Sequence, residues 1–192
     1  IYEFQKHGIS AGSGKVLVTG ATGGVGTLAI AMLAKLGYQV VASTGKAELS
    51  DYLKKLGASE IIHRDEVNDQ TGKPLLAKKW IASLDNVGGN TLATILRSTI
   101  EYGIVCNCGM VEGTVLNTNI FPFILRGVRL VGIASAETPM KRRLEIWNKI
   151  FNEYRLEKYN FNIKEVSLEE LPTEIDLMAK GQQVGRILVK IC

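Results

Sequence analysis

A chain of 192 residues with 46% hydrophobic and 22% charged residues has the composition of an ordinary soluble globular protein with one sizeable core. Its net charge of +4 is spread along the chain, and no block of basic residues marks a nucleic-acid partner. No apolar run is long enough to cross a bilayer and no basic-then-apolar leader opens the sequence, so the chain reads as cytoplasmic with no membrane partner.

The opening "IYEFQKHGIS" carries no initiator methionine and reads as the end of a helix begun earlier, so the chain is expected to be one domain of a longer protein. Lys15–Thr19, "KVLVT", is a short apolar run suited to a buried parallel strand. A glycine turn, Gly20–Gly26, leads into a helix over Val25–Leu36 that Gly37 stops. A second strand over Tyr38–Thr44 is followed by a helix over Glu48–Leu56, stopped by Gly57. Ser59–His63 is a third strand, and the polar "RDEVNDQTGKPL" is a loop. The fourth strand lies within Lys78–Gly89, "KKWIASLDNVGG", before a short helix over Leu92–Ser98. "YGIVCNCG" is the fifth strand, and Phe121–Ser135 gives a helical turn and a sixth strand, Arg129–Ser135. Met140–Tyr154 is a charged amphipathic helix, and "FNIKEV" and "GRILVKI" are late strands flanking a helix over Leu168–Ala179. The alternation predicts an α/β fold, a Rossmann-type doubly wound parallel sheet in three αβα layers. Such a sheet binds its ligand beyond the carboxyl ends of the strands, at the switch point.

Three cysteines, Cys106, Cys108 and Cys192, are too few and too odd in number for a disulfide framework. Cys106 and Cys108 alternate within the fifth strand, which would point both thiols to one face. His7 and His63 lie far from them in sequence, and the usual ligand spacings are absent, so no metal site is expected.

The glycine turn carries the functional signal. Glycines let the backbone bend sharply against a pyrophosphate, and the following helix offers free N–H groups and a partial positive charge. The strict G-x-G-x-x-G spacing is not met, because Ala21 takes the first inner position, but Ala21-x-Gly23-x-x-Gly26 is a close variant. The bland alternative is a structural turn. A Walker loop is excluded by the lack of Gly-Lys-Ser/Thr at the helix start. An NAD site places a carboxylate roughly 20 residues on, at the end of the second strand. That strand ends "VVASTGKAE", where Thr44, Gly45 and Lys46 suit a 2′-phosphate, with Arg64 past the third strand as a second cation. The pattern therefore favours NADPH over NADH, against the alternative of an ordinary polar loop. Thr19-Gly20-x-x-x-Gly24-x-Gly26 also satisfies the short-chain dehydrogenase pattern, and Tyr154 with Lys158 supplies the Tyr-x-x-x-Lys spacing of a proton-exchanging tyrosine. That reading lacks the Asn-Ala-Gly turn, in whose place "DNVGG" stands, and Ser135 lies too far ahead of Tyr154 for its serine.

"GKVLVTGATGGVG", "KLGYQVVASTGK", "YLKKLGAS", "DNVGG", "NCGMVEG", "FPFILRGVRLVGI" and "GRILVKI" together resemble the medium-chain dehydrogenase/reductase superfamily. The resemblance is nearest to its zinc-free quinone oxidoreductase branch and the YhdH/acryloyl-CoA reductase (AcuI) family, and runs from about Lys15 to Ile191. It implies an enzyme that passes hydride from NADPH to an activated carbon–carbon double bond, as in acryloyl-CoA, or to a quinone, without zinc. Carried over by motif, Thr22, Gly23, Gly24 and Val25 hold the pyrophosphate. Thr44, Gly45, Lys46 and Arg64 surround the 2′-phosphate and adenosine, and Met110, Ile124 and Ser135 line the nicotinamide end. Gly181 stands where the family often has a polar residue, so that contact is not carried over. The family has an N-terminal GroES-like substrate domain, which this chain lacks, so residues 1–14 are expected to end the linking helix and residues 15–192 to form the NADPH-binding domain. No catalytic residue is assigned, and the chain alone is expected to be an inactive fragment. The resemblance also implies a homodimer joined along the sixth-strand edge. A non-catalytic NADPH-binding or sensing module remains the alternative.

Overall fold

The computed structural model describes residues 1–157, 159 and 161–191; Lys158 and Cys192 of the sequence reading lie outside the described residues. In chain order the first half runs α1 (Tyr2–Lys6), β1 (Lys15–Val18), α2 (Gly24–Lys35), β2 (Gln39–Thr44), α3 (Ser50–Lys55), β3 (Glu60–His63) and β4 (Trp80–Asp85). There follow α4 (Gly89–Ser98), β5 (Thr99–Asn107), α5 (Phe121–Arg126), β6 (Arg129–Gly132), α6 (Met140–Asn152), β7 (Ile163–Ser167), α7 (Leu171–Ala179) and β8 (Arg186–Lys190).

The first six strands form one sheet in the order β3-β2-β1-β4-β5-β6. Every neighbouring pair is parallel. The chain steps outward from β1 to β3, then returns to start again at β4, so the order reverses between β1 and β4. A crevice opens there beyond the carboxyl ends of the strands. This is the doubly wound α/β fold that the alternation predicts.

The apolar runs explain the layers. Strands covered on both faces bury consecutive residues, and Val16, Leu17 and Val18 are all fully buried. Val16, Val18, Val40 and Ala42 pack on one face with Ile30 and Leu33 of α2 and Leu53 of α3. Leu17, Val41 and Val105 pack on the other with Leu92, Ile95 and Leu96 of α4. Each such side chain contributes about 1.5–3 kcal/mol through burial. Gly37 ends α2 with φ +82°, and Gly57 follows α3 with φ +105°. At Gly57 a Cβ would stand 2.3 Å from the Ala34 Cβ, so α2 and α3 approach closely only because that residue is glycine.

Several predicted boundaries move. β5 begins at Thr99 rather than Tyr102, with a register irregularity against β4 between Trp80 and Ala82. Tyr102 takes φ +57°, outside the ordinary strand conformation. β6 stops at Gly132, three residues short of Ser135, and α7 begins at Leu171 rather than Leu168. Because β5 ends at Asn107, Cys108 lies past the strand and does not share a strand face with Cys106. Cys106 is buried while Cys108 is exposed. β7 and β8 pair parallel, Ile163 with Arg186 through Ser167 with Lys190, as a two-stranded sheet separate from the six-stranded one. None of the helices is long and apolar enough to cross a membrane among the described residues.

Candidate functional site

The glycine turn leaves β1 at the switch point. Gly20 has φ +57°, and its carbonyl accepts from the Gly23 N–H at 3.0 Å, closing a tight turn. A Cβ at Gly26 would stand 2.4 Å from that same carbonyl oxygen, so the helix sits against the turn only with glycine there. Gly23 is the N-cap of α2 and offers no side chain to its first amides. The Thr27 N–H and hydroxyl both bond the Gly23 carbonyl at 3.0 Å. The N–H groups of Gly24, Val25 and Gly26 have no protein acceptor among the described residues. Free amides at a helix N-terminus, beside a backbone that no Cβ blocks, fit a diphosphate.

A buried carboxylate fixes this turn against its neighbours. Asp85, the last residue of β4, is fully buried. It accepts from the Thr19 hydroxyl at 2.6 Å, the Gly88 N–H at 2.8 Å, the Asn107 amide at 2.9 Å and the Val87 N–H at 3.2 Å. Four donors thus satisfy its two buried oxygens. The carboxyl ends of β1, β4 and β5 are thereby tied together around one side chain. Asn86 extends the tie, donating to the Thr19 carbonyl at 2.7 Å and standing 3.1 Å from the Cys108 Sγ.

The predicted phosphate residues do meet. Thr44 ends β2, and its hydroxyl accepts the Lys46 N–H at 3.0 Å. A Cβ at Gly45 would lie 2.8 Å from the Arg64 Nε, so the guanidinium rests over the bare backbone of Gly45. Burial holds the Lys46 ammonium below the usual lysine pKa, and the Arg64 charge adds to this while Glu48 opposes it. Lys46 and Arg64 thus flank Gly45, near enough for the one charge to act on the other. The predicted nicotinamide residues are more dispersed. Met110 lies in the loop after β5, Ile124 on α5 and Ser135 beyond β6, all exposed to solvent. Ile124 is therefore not a core residue, and Ser135 lies three residues past the end of β6 at Gly132.

Sequence reasoning missed Asp85 and the stretch Gln183–Arg186. The Gly185 N–H donates to the Thr22 carbonyl at 2.8 Å, and Arg186 Nη2 donates to the Gly24 carbonyl at 3.1 Å. An acidic residue ending an apolar strand was the available signal for Asp85; none local marks Gln183. A separate polar cavity of about 420 Å³, lined by Asp69, Asn90 and Arg97, lies away from the turn. Arg97 donates there to Asp69, Lys73, Ala93 and Thr94, and so fastens the 69–73 loop.

The zinc-binding dehydrogenase family matches residues 24–148. The chain belongs to that family. Acrylyl-CoA reductase AcuI of Ruegeria pomeroyi is 41% identical over 192 residues, all of this chain and 58% of the relative. The crystal structure of YhdH from Escherichia coli K-12 with bound NADPH superposes with a TM-score of 0.93 at 40% identity, covering 100% of this chain and 58% of that one. That of Bacillus subtilis YhfP with NAD bound gives 0.91 at 42% identity, covering 99% and 58%. The chain thus spans 58% of the length of these relatives.

Membership in this family replaces the short-chain alternative. Tyr154 is buried, and its hydroxyl donates to Gln5 Oε1 at 2.6 Å, packed against α1 rather than at the crevice. Burial raises its pKa, the opposite of what a proton-exchanging phenol needs. The family's name implies zinc, but among the described residues no group of three or more His, Cys, Asp or Glu side chains fits a metal ion.

Proposed function

We propose that residues 15–192 form the NADPH-binding domain of an oxidoreductase acting on an activated carbon–carbon double bond, such as the enoyl thioester of an acryloyl-CoA-like substrate. In this reading, residues 1–14 end the helix that links it to a GroES-like substrate domain. The observation that carries the cofactor choice is the meeting of Lys46 and Arg64 across Gly45, at the strand end where an NAD site has a carboxylate. NADPH, when bound, supplies the hydride. Gly24 and Val25 receive the pyrophosphate on the free amides of α2, with Thr22 and Gly23 in the turn against it. Thr44, Gly45, Lys46 and Arg64 hold the 2′-phosphate, and Met110, Ile124 and Ser135 wall the nicotinamide end. The domain's own task is to bind and orient; it contributes no catalytic residue. AcuI from Ruegeria pomeroyi, an acrylyl-CoA reductase by name, supports the substrate class. The outer strand β6 leaves an open edge, which we assign to a homodimer of a cytoplasmic protein.

Titration of the chain with NADPH and NADH tests the cofactor reading. NADPH should bind at least about tenfold more tightly, and Lys46→Met should remove most of that preference while leaving NADH affinity unchanged. Equal affinities in the unaltered chain would refute it. The reaction is tested in the intact protein by following NADPH oxidation with acryloyl-CoA and with benzoquinone. Turnover of the enoyl thioester is expected, and turnover of the quinone alone would replace the substrate assignment.

A further inference from the structure

The segment Gln182–Arg186, far from the glycine turn in sequence, closes on the same site. Gly185 forms a parallel bridge with Gly23, and its N–H bonds the Thr22 carbonyl at 2.8 Å. On the other side the Arg186 N–H bonds the Asn162 carbonyl at 3.0 Å, and the Asn162 N–H donates to the Tyr52 hydroxyl at 3.0 Å. The seat is narrow. Gly185 has φ +68°, and a Cβ there would stand 1.9 Å from the Asn162 carbonyl oxygen.

This segment also holds the cation of the phosphate site. Lys46 Nζ donates to the Gln183 carbonyl at 2.6 Å. An ammonium has three N–H groups, so one bond to a carbonyl fixes its direction and leaves two for an anion. A lysine on a free stem gives up rotamer freedom when it meets a phosphate; one already held gives up less. The backbone is held as well, by the bond from the Lys46 N–H to the Thr44 hydroxyl at 3.0 Å. Lys46 is partly desolvated beside Arg64, which makes an incoming dianion a strong partner for it.

We infer that the Gln183 carbonyl is the positioning group of Lys46, and that the Gln182–Arg186 strap thereby sets the preference for a 2′-phosphorylated dinucleotide over the unphosphorylated one. The inference rests on the nucleotide reading of the site. The strap's bonds to Thr22 and Gly24 serve both dinucleotides alike, whereas the Lys46 link serves the 2′-phosphate alone. Coupling is reciprocal, so a 2′-phosphate that engages Lys46 must also hold the strap down.

The test combines hydrogen exchange with affinity. The Gly185 amide should exchange at least about tenfold more slowly in the chain saturated with NADPH than with NADH, and Lys46→Met should abolish that difference. In affinity, Lys46→Met should lower the NADPH-to-NADH preference about tenfold in the unaltered chain, but less than about twofold where Gly185→Val has lifted the strap. Equal protection by the two dinucleotides, in a chain that still prefers NADPH, overturns the strap alone. So does an equal cost of Lys46→Met in both backgrounds. Binding of neither dinucleotide overturns the reading of the site and the strap with it. Should Gly185→Val not fold, the exchange comparison decides without it.

Discussion

The crevice of the six-stranded sheet and the region from α6 to β8 are built on opposite principles. At the crevice, three strand ends converge on the buried Asp85, and the strands behind it are sealed on both faces. From α6 onward little is sealed. α6 buries none of its residues, and Ile163 of β7 and Leu188 of β8 are half exposed. What ties this region to the rest is the packing of Tyr159 and Phe161 against the α2 face of the core, together with a set of individual hydrogen bonds. Tyr154 reaches Gln5, Arg142 reaches Glu3, Lys46 reaches Gln183 and Gly185 reaches Thr22. Burial gives stability in bulk, whereas single polar contacts give position and little more. The later region therefore acts on the site through where it places a few groups.

The sharpest way to break this contrast is to remove its keystone. Asp85→Ala leaves the buried Thr19 hydroxyl and Gly88 amide without their acceptor, and takes one from the part-buried Val87 and Asn107 amides, of which Asn107 keeps the Gly109 carbonyl. Each orphaned buried group costs about 1–3 kcal/mol. Urea unfolding should therefore show a loss of about 3–5 kcal/mol, allowing for partial relaxation. A loss under about 1 kcal/mol would mean that water substitutes for the carboxylate and that the crevice is no tighter than the region after α6.

The next effect depends on pH. Cys106 packs into the core on the α2 face of the sheet, and burial pushes its thiol from 9.0 up to about 12. The unfolded chain loses this proton near pH 9 while the folded chain keeps it, so the folded state binds more protons between about pH 9 and 12. Stability is full below that window and falls as pH rises through it, by up to about 1.4 kcal/mol per pH unit. Denaturation at pH 8 to 11 should show this excess slope in the unaltered chain and not in Cys106→Ala. Parallel slopes in the two would mean that water reaches the thiol.

What the sequence discloses follows the same division. Strands sealed on both faces need unbroken apolar runs, so "KVLVT" and "YQVVAST" announce β1 and β2 within a residue. Gly37 and Gly57 mark their helix ends because only glycine takes those backbone angles cheaply. The sequence also puts Thr44, Gly45, Lys46 and Arg64 at the ends of β2 and β3, and there Arg64 lies over Gly45 and the Lys46 N–H bonds the Thr44 hydroxyl. Asp85 is not legible, because its burial arises only when β1, β4 and β5 finish at one level. The contact between Lys46 and Gln183 is invisible to any local pattern, since the two are joined only by the folded path of the chain. β6 is overread for a related reason. "VGIAS" continues to look like strand, but only as far as Gly132 does β5 offer a partner.

The smallest effect lies on α6, where Met140, Leu144, Trp147 and Phe151 recur at helical spacing and are all exposed. Removing an apolar side chain from a packed core costs several kcal/mol, because transfer and cavity terms add. On a surface that water already covers, neither term arises. Phe151→Ser should therefore change urea stability by less than about 0.5 kcal/mol, while Leu33→Ala on the sealed side of α2 costs about 2–5 kcal/mol. Phe151→Ser removes the larger apolar group of the two, so a smaller cost for it than for Leu33→Ala measures the contrast between the regions directly. A cost of about 2 kcal/mol or more for Phe151→Ser would place α6 in a core, and the region after it would owe its position to packing more than to its few polar contacts.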